Sequence, residues 1–127
     1  MSIKRVNLKN ITVFDSLDMH FSDGINVFIG PNGVGKTHLL KILYSACRAA
    51  DPKVSFPNKI VRCFAPDDHR ISRLVRRKQG NNDAVIRVTS QSDGKSRVIL
   101  TQFSNKTPKW DATIAGESSW EKQRGDL

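Results

Sequence analysis

Gly30-Pro31-Asn32-Gly33-Val34-Gly35-Lys36-Thr37 is the stretch of this sequence that decides the fold. It matches the pattern G-x-x-x-x-G-K-[ST], in which a loop wraps around phosphate groups. Glycine allows the backbone torsions that direct successive N–H groups inward, and residues with a Cβ resist those torsions. The pattern predicts a phosphate-binding loop between a strand and a helix. The alternative is a plain glycine turn with an incidental lysine.

The last residues of this stretch carry the predicted chemistry. A helix that opens at Gly35 adds unpaired N–H donors and the positive end of its dipole. Lys36 supplies a mobile cation for the β- and γ-phosphates of a nucleotide, and the Thr37 hydroxyl is an oxygen ligand of the kind that Mg²⁺ prefers. The backbone N–H of His38 is placed to add a further donor.

The residues around the loop supply the context that the motif needs. Residues 3–8 and 17–21 alternate between apolar and polar types, which is typical of half-buried strands, and residues 25–29 form a short apolar run like that of a buried strand. Residues 35–50 carry apolar side chains at helical spacing and predict one helix, which Asp51-Pro52 ends. The first part of the chain therefore predicts an α/β fold.

Weaker patterns follow along the chain. Residues 60–65 suggest a short strand, and residues 66–80 suggest a basic helix with a narrow apolar stripe. Residues 84–90 and 96–103 predict two strands of a hairpin around Asp93-Gly94. From residue 104 the pattern is that of an irregular tail with the apolar anchors Trp110, Ile114 and Trp120. We therefore divide one domain into residues 1–50, 51–103 and 104–127.

Composition limits the classes of protein that remain. The chain has 127 residues, and its 21 Lys and Arg against 12 Asp and Glu give a net charge of +9. This excess favours a polyanionic partner, although basic charge also serves solubility alone. Two cysteines make no disulfide framework and no zinc pattern, and no apolar run is long enough to cross a membrane. These features predict a reduced, cytoplasmic protein without a membrane partner.

Two longer stretches carry a family resemblance. Val6-Asn7-Leu8-Lys9-Asn10 and the run from Phe21-Ser22-Asp23-Gly24-Ile25-Asn26 through the loop to His38-Leu39-Leu40 resemble the N-terminal lobe of ABC-type ATPases that act on DNA. This group includes the SMC, RecF and double-strand-break-repair ATPases and the overcoming-lysogenization-defect proteins. The resemblance covers about residues 3–48. It implies a P-loop ATPase lobe with a mixed sheet, a P-loop helix and an antiparallel hairpin region.

The resemblance also implies cofactors, partners and roles. ATP and Mg²⁺ are expected at the loop, where Lys36 is the catalytic residue and Thr37 holds the metal. Two such heads are expected to close over two nucleotides. The expected phosphate-binding residues are Gly30, Asn32, Gly33, Val34, Gly35, Lys36 and Thr37. The family often has an aromatic and then a basic residue after its Lys-Asn pair, and this chain has Ile11 and Thr12 there. Heads of this kind act in DNA repair, chromosome organisation or phage defence, and the sequence does not choose between these pathways.

Two motifs that hydrolysis requires are not found in these 127 residues. An apolar run followed by Asp-Glu is absent, since the nearest case, ending at Asp67-Asp68, is broken by Arg62 and Pro66. A Ser-Gly-Gly signature is absent too. The simplest interpretation is the N-terminal piece of a longer ATPase, or a truncated copy of one. The expected protein partner is a C-terminal lobe or a second ATPase head, the latter as a homodimer. Alone, the chain is expected to bind nucleotide weakly or not at all and not to hydrolyse it.

The basic segment leaves alternative functions open. Arg70, Arg73 and Arg77 recur at helical spacing, and they either contact the phosphate backbone of DNA or form a solvated face. One rival to the ATPase is a non-catalytic module that binds nucleic acid through this surface. A second rival is a P-loop kinase, which uses the same phosphate-binding loop with a different acceptor.

Overall fold

The computed structural model describes residues 2–12, 14–21, 33–66, 70–76, 82–92, 94–107 and 112–122. These residues form strands, α-helices and one turn of 3₁₀ helix. In chain order they are β1 (Ser2–Ile11), β2 (Phe14–His20), α1 (Gly33–Arg48), α2 (Phe56–Phe64), the 3₁₀ turn (Ile71–Leu74), β3 (Asp83–Ser92), β4 (Lys95–Ser104), β5 (Thr113–Ala115) and α3 (Glu117–Glu121). The α/β fold class is confirmed.

The described strands form one sheet in the order β2-β1-β3-β4-β5, with every neighbouring pair antiparallel. The strands predicted over residues 3–8, 17–21, 84–90 and 96–103 are confirmed, with boundaries that move by a few residues. The hairpin turns at Gly94, whose φ of 75° lies in the left-handed region that glycine adopts without strain. The mixed character of the predicted sheet depends on residues 25–29, which lie outside the described residues.

One face of the sheet and one face of α1 share a single hydrophobic cluster. Alternate residues of the strands point inward, as a period of two requires. The buried strand residues include Val6, Leu8, Ile86, Val88, Ile99 and Phe103. The predicted apolar face of α1 is confirmed, because Leu39, Ile42 and Ala46 are buried and Leu43 packs against the cluster. The helix ends at Arg48, two residues earlier than predicted, and Ala50 is buried just beyond its end.

Residues 60–64 are helical, so the strand predicted over residues 60–65 is wrong. Helix α2 runs over Phe56–Phe64 and buries Phe56, Ile60 and Val61, a spacing of four and five residues that fits a helix. It begins with a proline in its first turn and ends at Ala65, which has a left-handed φ of 46° and donates its N–H to the Val61 carbonyl. A short apolar run fits a strand and a buried helical segment equally well, so residues 60–65 alone could not distinguish the two.

The basic helix predicted over residues 66–80 is also wrong for its described part. Only Ile71–Leu74 is helical, as one 3₁₀ turn, and Val75 then bridges to Ile11 at the end of β1. The Arg76 N–H donates to the Asn10 carbonyl at 2.8 Å, and the Thr12 N–H donates to the Leu74 carbonyl at 2.7 Å. This pairing with β1 draws the segment into an extended conformation and prevents a longer helix.

The tail contains more structure than its sequence indicated. The short strand β5 adds to the edge of β4, and Gly116 leads into the single-turn helix α3. Of the predicted anchors, Trp120 is fully buried, Ile114 lies on β5, and Trp110 lies outside the described residues. Within the described ranges no helix has both the length and the apolar character needed to cross a membrane.

Candidate functional site

The candidate site lies at the amino end of helix α1. This helix is 16 residues long, begins at Gly33 and has no acidic residue in its first turn. The first turn of a helix presents N–H donors and the positive end of the dipole, which together attract anions. The first turn therefore provides a positive electrostatic environment, and it has no carboxylate that would compete with a bound anion for the N–H donors.

The described residues cover the second half of the predicted phosphate-binding loop. Gly30 and Asn32 lie outside them, as does the apolar run at residues 25–29. The backbone of Gly33, Val34, Gly35, Lys36, Thr37 and His38 is helical. The helix thus begins two residues earlier than predicted, and these six residues lie on its first two turns.

Lys36 and Thr37 differ in exposure in a way that suits their expected roles. Lys36 is half-buried, while the Thr37 side chain is exposed at the surface of α1. A threonine hydroxyl is a hard oxygen donor and therefore fits Mg²⁺, whose remaining ligands would be phosphate oxygens and water. Among the described residues, no group of three or more His, Cys, Asp or Glu is arranged to hold a metal ion.

The His38 side chain packs against α2. Its ring contacts the Phe64 ring edge-on, with centroids 5.2 Å apart, and the Lys41 ammonium lies 5.3 Å from the same Phe64 centroid. Nδ1 of His38 is buried without a hydrogen-bond partner. Burial, followed by the charge of Lys41, lowers the pKa of His38. Only the backbone of His38 fits the role that the sequence predicted.

Helix α1 is fixed at its carboxyl end by a side chain that sequence reasoning had treated only as an apolar anchor. The Ala50 N–H donates to Cys47 instead of Ala46, so the Ala46 carbonyl needs another donor. The indole N–H of Trp120 supplies it at 2.8 Å. Trp120 therefore joins the tail of the chain to the helix that carries Lys36 and Thr37.

The turn after β1 is the position where the resembling family has an aromatic and then a basic residue. Here Ile11 is fully buried in the core, and Asn10 and Thr12 on either side have left-handed φ values of 53° and 48°. The Asn10 side-chain amide donates to the Asp83 carbonyl at 3.1 Å, which ties the turn to β3. Ile11 therefore serves the core of this lobe.

A basic cleft lies beside this turn. It has a volume of about 540 Å³ and is lined by Arg70, Ser72, Arg73, Val75, Arg76, Asn82 and Asn105. Two of the three arginines that the sequence singled out are among these residues, and Arg77 lies outside the described residues. Nothing in the sequence indicated that Asn82 and Asn105 belong to this cleft.

Comparison with known proteins gives one family and a consistent set of relatives. The family described as the AAA domain matches residues 5–125. The DNA replication and repair protein RecF of Clostridium botulinum (strain Eklund 17B / Type B) is 31% identical over 103 residues, which cover 81% of this chain and 28% of that protein. RecF of Latilactobacillus sakei is 31% identical over 98 residues, or 77% of this chain and 26% of that protein. The chain thus spans about a quarter of the length of these curated relatives.

Proposed function

This chain belongs to the AAA domain family, and from that premise we propose that it is the ATP-binding lobe of a RecF-like, DNA-associated ATPase. The observation that carries the proposal is the match to the phosphate-loop pattern at the start of α1. The loop glycines are followed by a half-buried Lys36 and an exposed Thr37 on a first turn without acidic residues.

The proposed binding mode assigns each group a separate task. Backbone N–H groups from Gly30 and from residues 32–38 surround the phosphates, and Lys36 neutralises charge on the β- and γ-phosphates. The Thr37 hydroxyl contributes one ligand to Mg²⁺ when the metal–nucleotide complex is bound. Lys36 is also the group proposed to stabilise charge on the γ-phosphate during transfer to water in the complete enzyme.

The proposal places this chain in a larger assembly with a second lobe and a second, identical head. The surface of α1 supports it, since Leu40 is 53% exposed and Tyr44, one turn later, is 47% exposed. An apolar pair on the helix that carries the nucleotide site suits burial against another lobe. Hydrolysis in this scheme needs an acidic motif that would come from the second lobe, in a cytoplasmic ATPase that acts in DNA repair.

One rival function has an observation in its favour. The basic cleft around Arg70 and Arg73 favours a module that binds nucleic acid and does not use ATP. In that case Lys36 would have no bearing on ligand binding. The two functions therefore make opposite predictions for substitution of this lysine.

A thermal unfolding experiment with Mg-ATP tests the proposal. A ligand that binds only the folded state stabilises it, and about 10 mM ligand with a Kd of about 1 mM gives about 1.4 kcal/mol. We expect this stabilisation for the complete protein that contains this chain, its loss in Lys36→Ala, and its retention in the control Lys41→Ala, which removes a lysine farther along the same helix. Salt is matched in every sample.

Two results would contradict the proposal. The first is a complete protein whose stability does not respond to Mg-ATP. The second is an equal response in the unsubstituted complete protein and in Lys36→Ala, because the lysine would then have no part in binding.

A further inference from the structure

We propose that the basic cleft holds the phosphate backbone of a DNA duplex, with contacts from both of its walls. This inference deepens the proposed function, because it locates the DNA contact on this chain. It rests on the proposed function only for the choice of DNA as the polyanion. The site differs from the helical face that the sequence suggested. It lies between the 3₁₀ turn on one side and the open end of the β3–β4 hairpin on the other.

The first wall is a short segment whose alternation separates apolar from basic residues. Ile71, Leu74 and Val75 are almost fully buried, while Arg70 and Arg73 are exposed. The Arg73 N–H donates to the Arg70 carbonyl at 3.0 Å and closes the turn between them. Arg70 directly precedes the 3₁₀ turn and Arg73 lies within it, and both residues line the cleft.

The backbone of this wall is fixed at its carboxyl end. Hydrogen bonds join the Leu74 carbonyl to Thr12 and the Arg76 N–H to Asn10, and Val75 bridges to Ile11. These contacts tie the segment to β1, which pairs with β2 on one side and β3 on the other. Because the arginine backbones are held by the sheet, less conformational entropy is lost when their side chains engage a ligand.

The second wall is built from two asparagines. The Asn105 N–H donates to the Asn82 carbonyl at 3.1 Å, and the Asn82 N–H donates to the Asn105 side-chain oxygen at 3.4 Å. This pair closes the end of the hairpin next to the cleft. The backbone N–H groups of both residues are used in this pair, and asparagine side-chain amides are regular donors to phosphate oxygens in protein–DNA complexes.

The chemistry of the lining selects a phosphate backbone. The described residues that line the cleft include three arginines and no carboxylate, and the whole chain carries a net charge of +9. Guanidinium groups bind phosphate oxygens in a bidentate manner. The described lining contains no aromatic side chain on which an unpaired base could stack. These features favour duplex DNA, bound without sequence preference.

Anisotropy of a fluorescent duplex, measured over a range of salt concentrations, tests the proposal. The variant is Arg70→Gln with Arg73→Gln, because both side chains are exposed and their removal leaves the core intact. The control is Arg48→Gln with Arg62→Gln, which removes the same charge from exposed positions on α1 and α2. Circular dichroism checks that both variants are folded.

We expect the cleft variant to lose about tenfold or more in duplex affinity near 0.1 M salt. Its slope of log affinity against log salt should fall by about 1.8, which corresponds to two lost phosphate contacts. The control should keep most of the affinity and the slope. Equal losses in the two variants would overturn the proposal, as would an unsubstituted chain that fails to bind duplex at about 100 µM in low salt.

Parallel melts with Mg-ATP separate this proposal from the proposed function. If the cleft variant loses stabilisation by Mg-ATP as Lys36→Ala is expected to, the cleft belongs to the nucleotide site and the proposal is wrong. If Lys36→Ala keeps the stabilisation while the cleft variant alone loses duplex affinity, the proposed function is wrong and the cleft proposal stands.

Discussion

Protonation of His38 on α1 is expected to make the stability of the folded chain depend on pH. Burial and the nearby Lys41 lower the pKa of this imidazole in the folded chain from its ordinary value of 6.5. The unfolded state therefore binds more protons near and below pH 6.5, and stability falls as pH decreases through that range. His38→Gln is expected to remove this part of the decrease, as measured by urea unfolding between about pH 7.5 and 5.5.

Lys41→Gln is the matching test of the cause. Burial is the larger influence on the pKa of His38, so this variant should keep most of the pH dependence and lose only the part due to charge. A decrease in stability that is identical in His38→Gln and in the unsubstituted chain would contradict the assignment.

Substitution of Trp120 tests the contribution of a single hydrogen bond between the tail and α1 to stability. Trp120→Phe keeps an aromatic ring but leaves the Ala46 carbonyl without its 2.8 Å partner. An unsatisfied buried carbonyl costs about 1–3 kcal/mol, and the smaller ring adds a cavity. Urea unfolding followed by circular dichroism should show this loss. Tyr44→Phe, which alters an exposed ring, should leave stability almost unchanged, and equal effects of the two variants would refute the assignment.

At the scale of elements, the glycine before α3 controls how the tail is attached. Gly116 has a φ of 81°, and a Cβ at this position would overlap the carbonyl oxygen of Val98 on β4. Gly94 has a similar φ of 75° but open space around it. Gly94→Ala should therefore cost only the left-handed strain, about 1–2 kcal/mol, whereas Gly116→Ala should cost about 2–5 kcal/mol because the backbones must also separate.

Thermal melts of the two alanine variants measure this difference. The comparison is internally controlled, since both changes add one methyl group to a glycine in the left-handed region. Similar losses for the two variants would show that contact with Val98 does not fix the position of α3.

The elements that could be predicted are those whose pattern is long and local. Strands β1, β3 and β4 are ten residues long, and each contains a run in which buried residues alternate with less buried ones, while α1 carries apolar residues at helical spacing from Leu39 to Ala46. Helix α3 is only five residues long and has one buried side chain, so its position depends on the contact between Trp120 and α1. The segment after α2 depends in the same way on pairing with residues 10–12 of β1 and its turn. Neither contact leaves a signal in the local sequence.

At the scale of the whole molecule, the same distinction separates the two candidate sites. Residues 33–38 are predicted to bind phosphate because the motif is contiguous in sequence. The exposed arginines at 70 and 73 were also visible as a basic run. The opposite wall of the cleft was not, because Asn82 and Asn105 are brought together only by the pairing of β3 with β4. The sequence alone thus indicated the arginine wall of the cleft, whereas the asparagine wall became visible only in the folded structure.

The adjacent residues Leu39 and Leu40 test whether α1 lies in the middle of a larger head. Leu39 is 3% exposed and Leu40 is 53% exposed, so they point to different surroundings. In this chain alone, Leu39→Ala should cost about 2–5 kcal/mol, and Leu40→Ala should change stability by no more than about 0.5 kcal/mol. In the assembled ATPase, Leu40→Ala should become costly as well, because the second lobe would bury that side chain. Urea unfolding of both variants, with sedimentation to fix the oligomeric state, measures the difference. If Leu40→Ala lowers the free energy of unfolding of a monomeric chain as much as Leu39→Ala does, the proposal that this surface of α1 packs against another lobe is wrong.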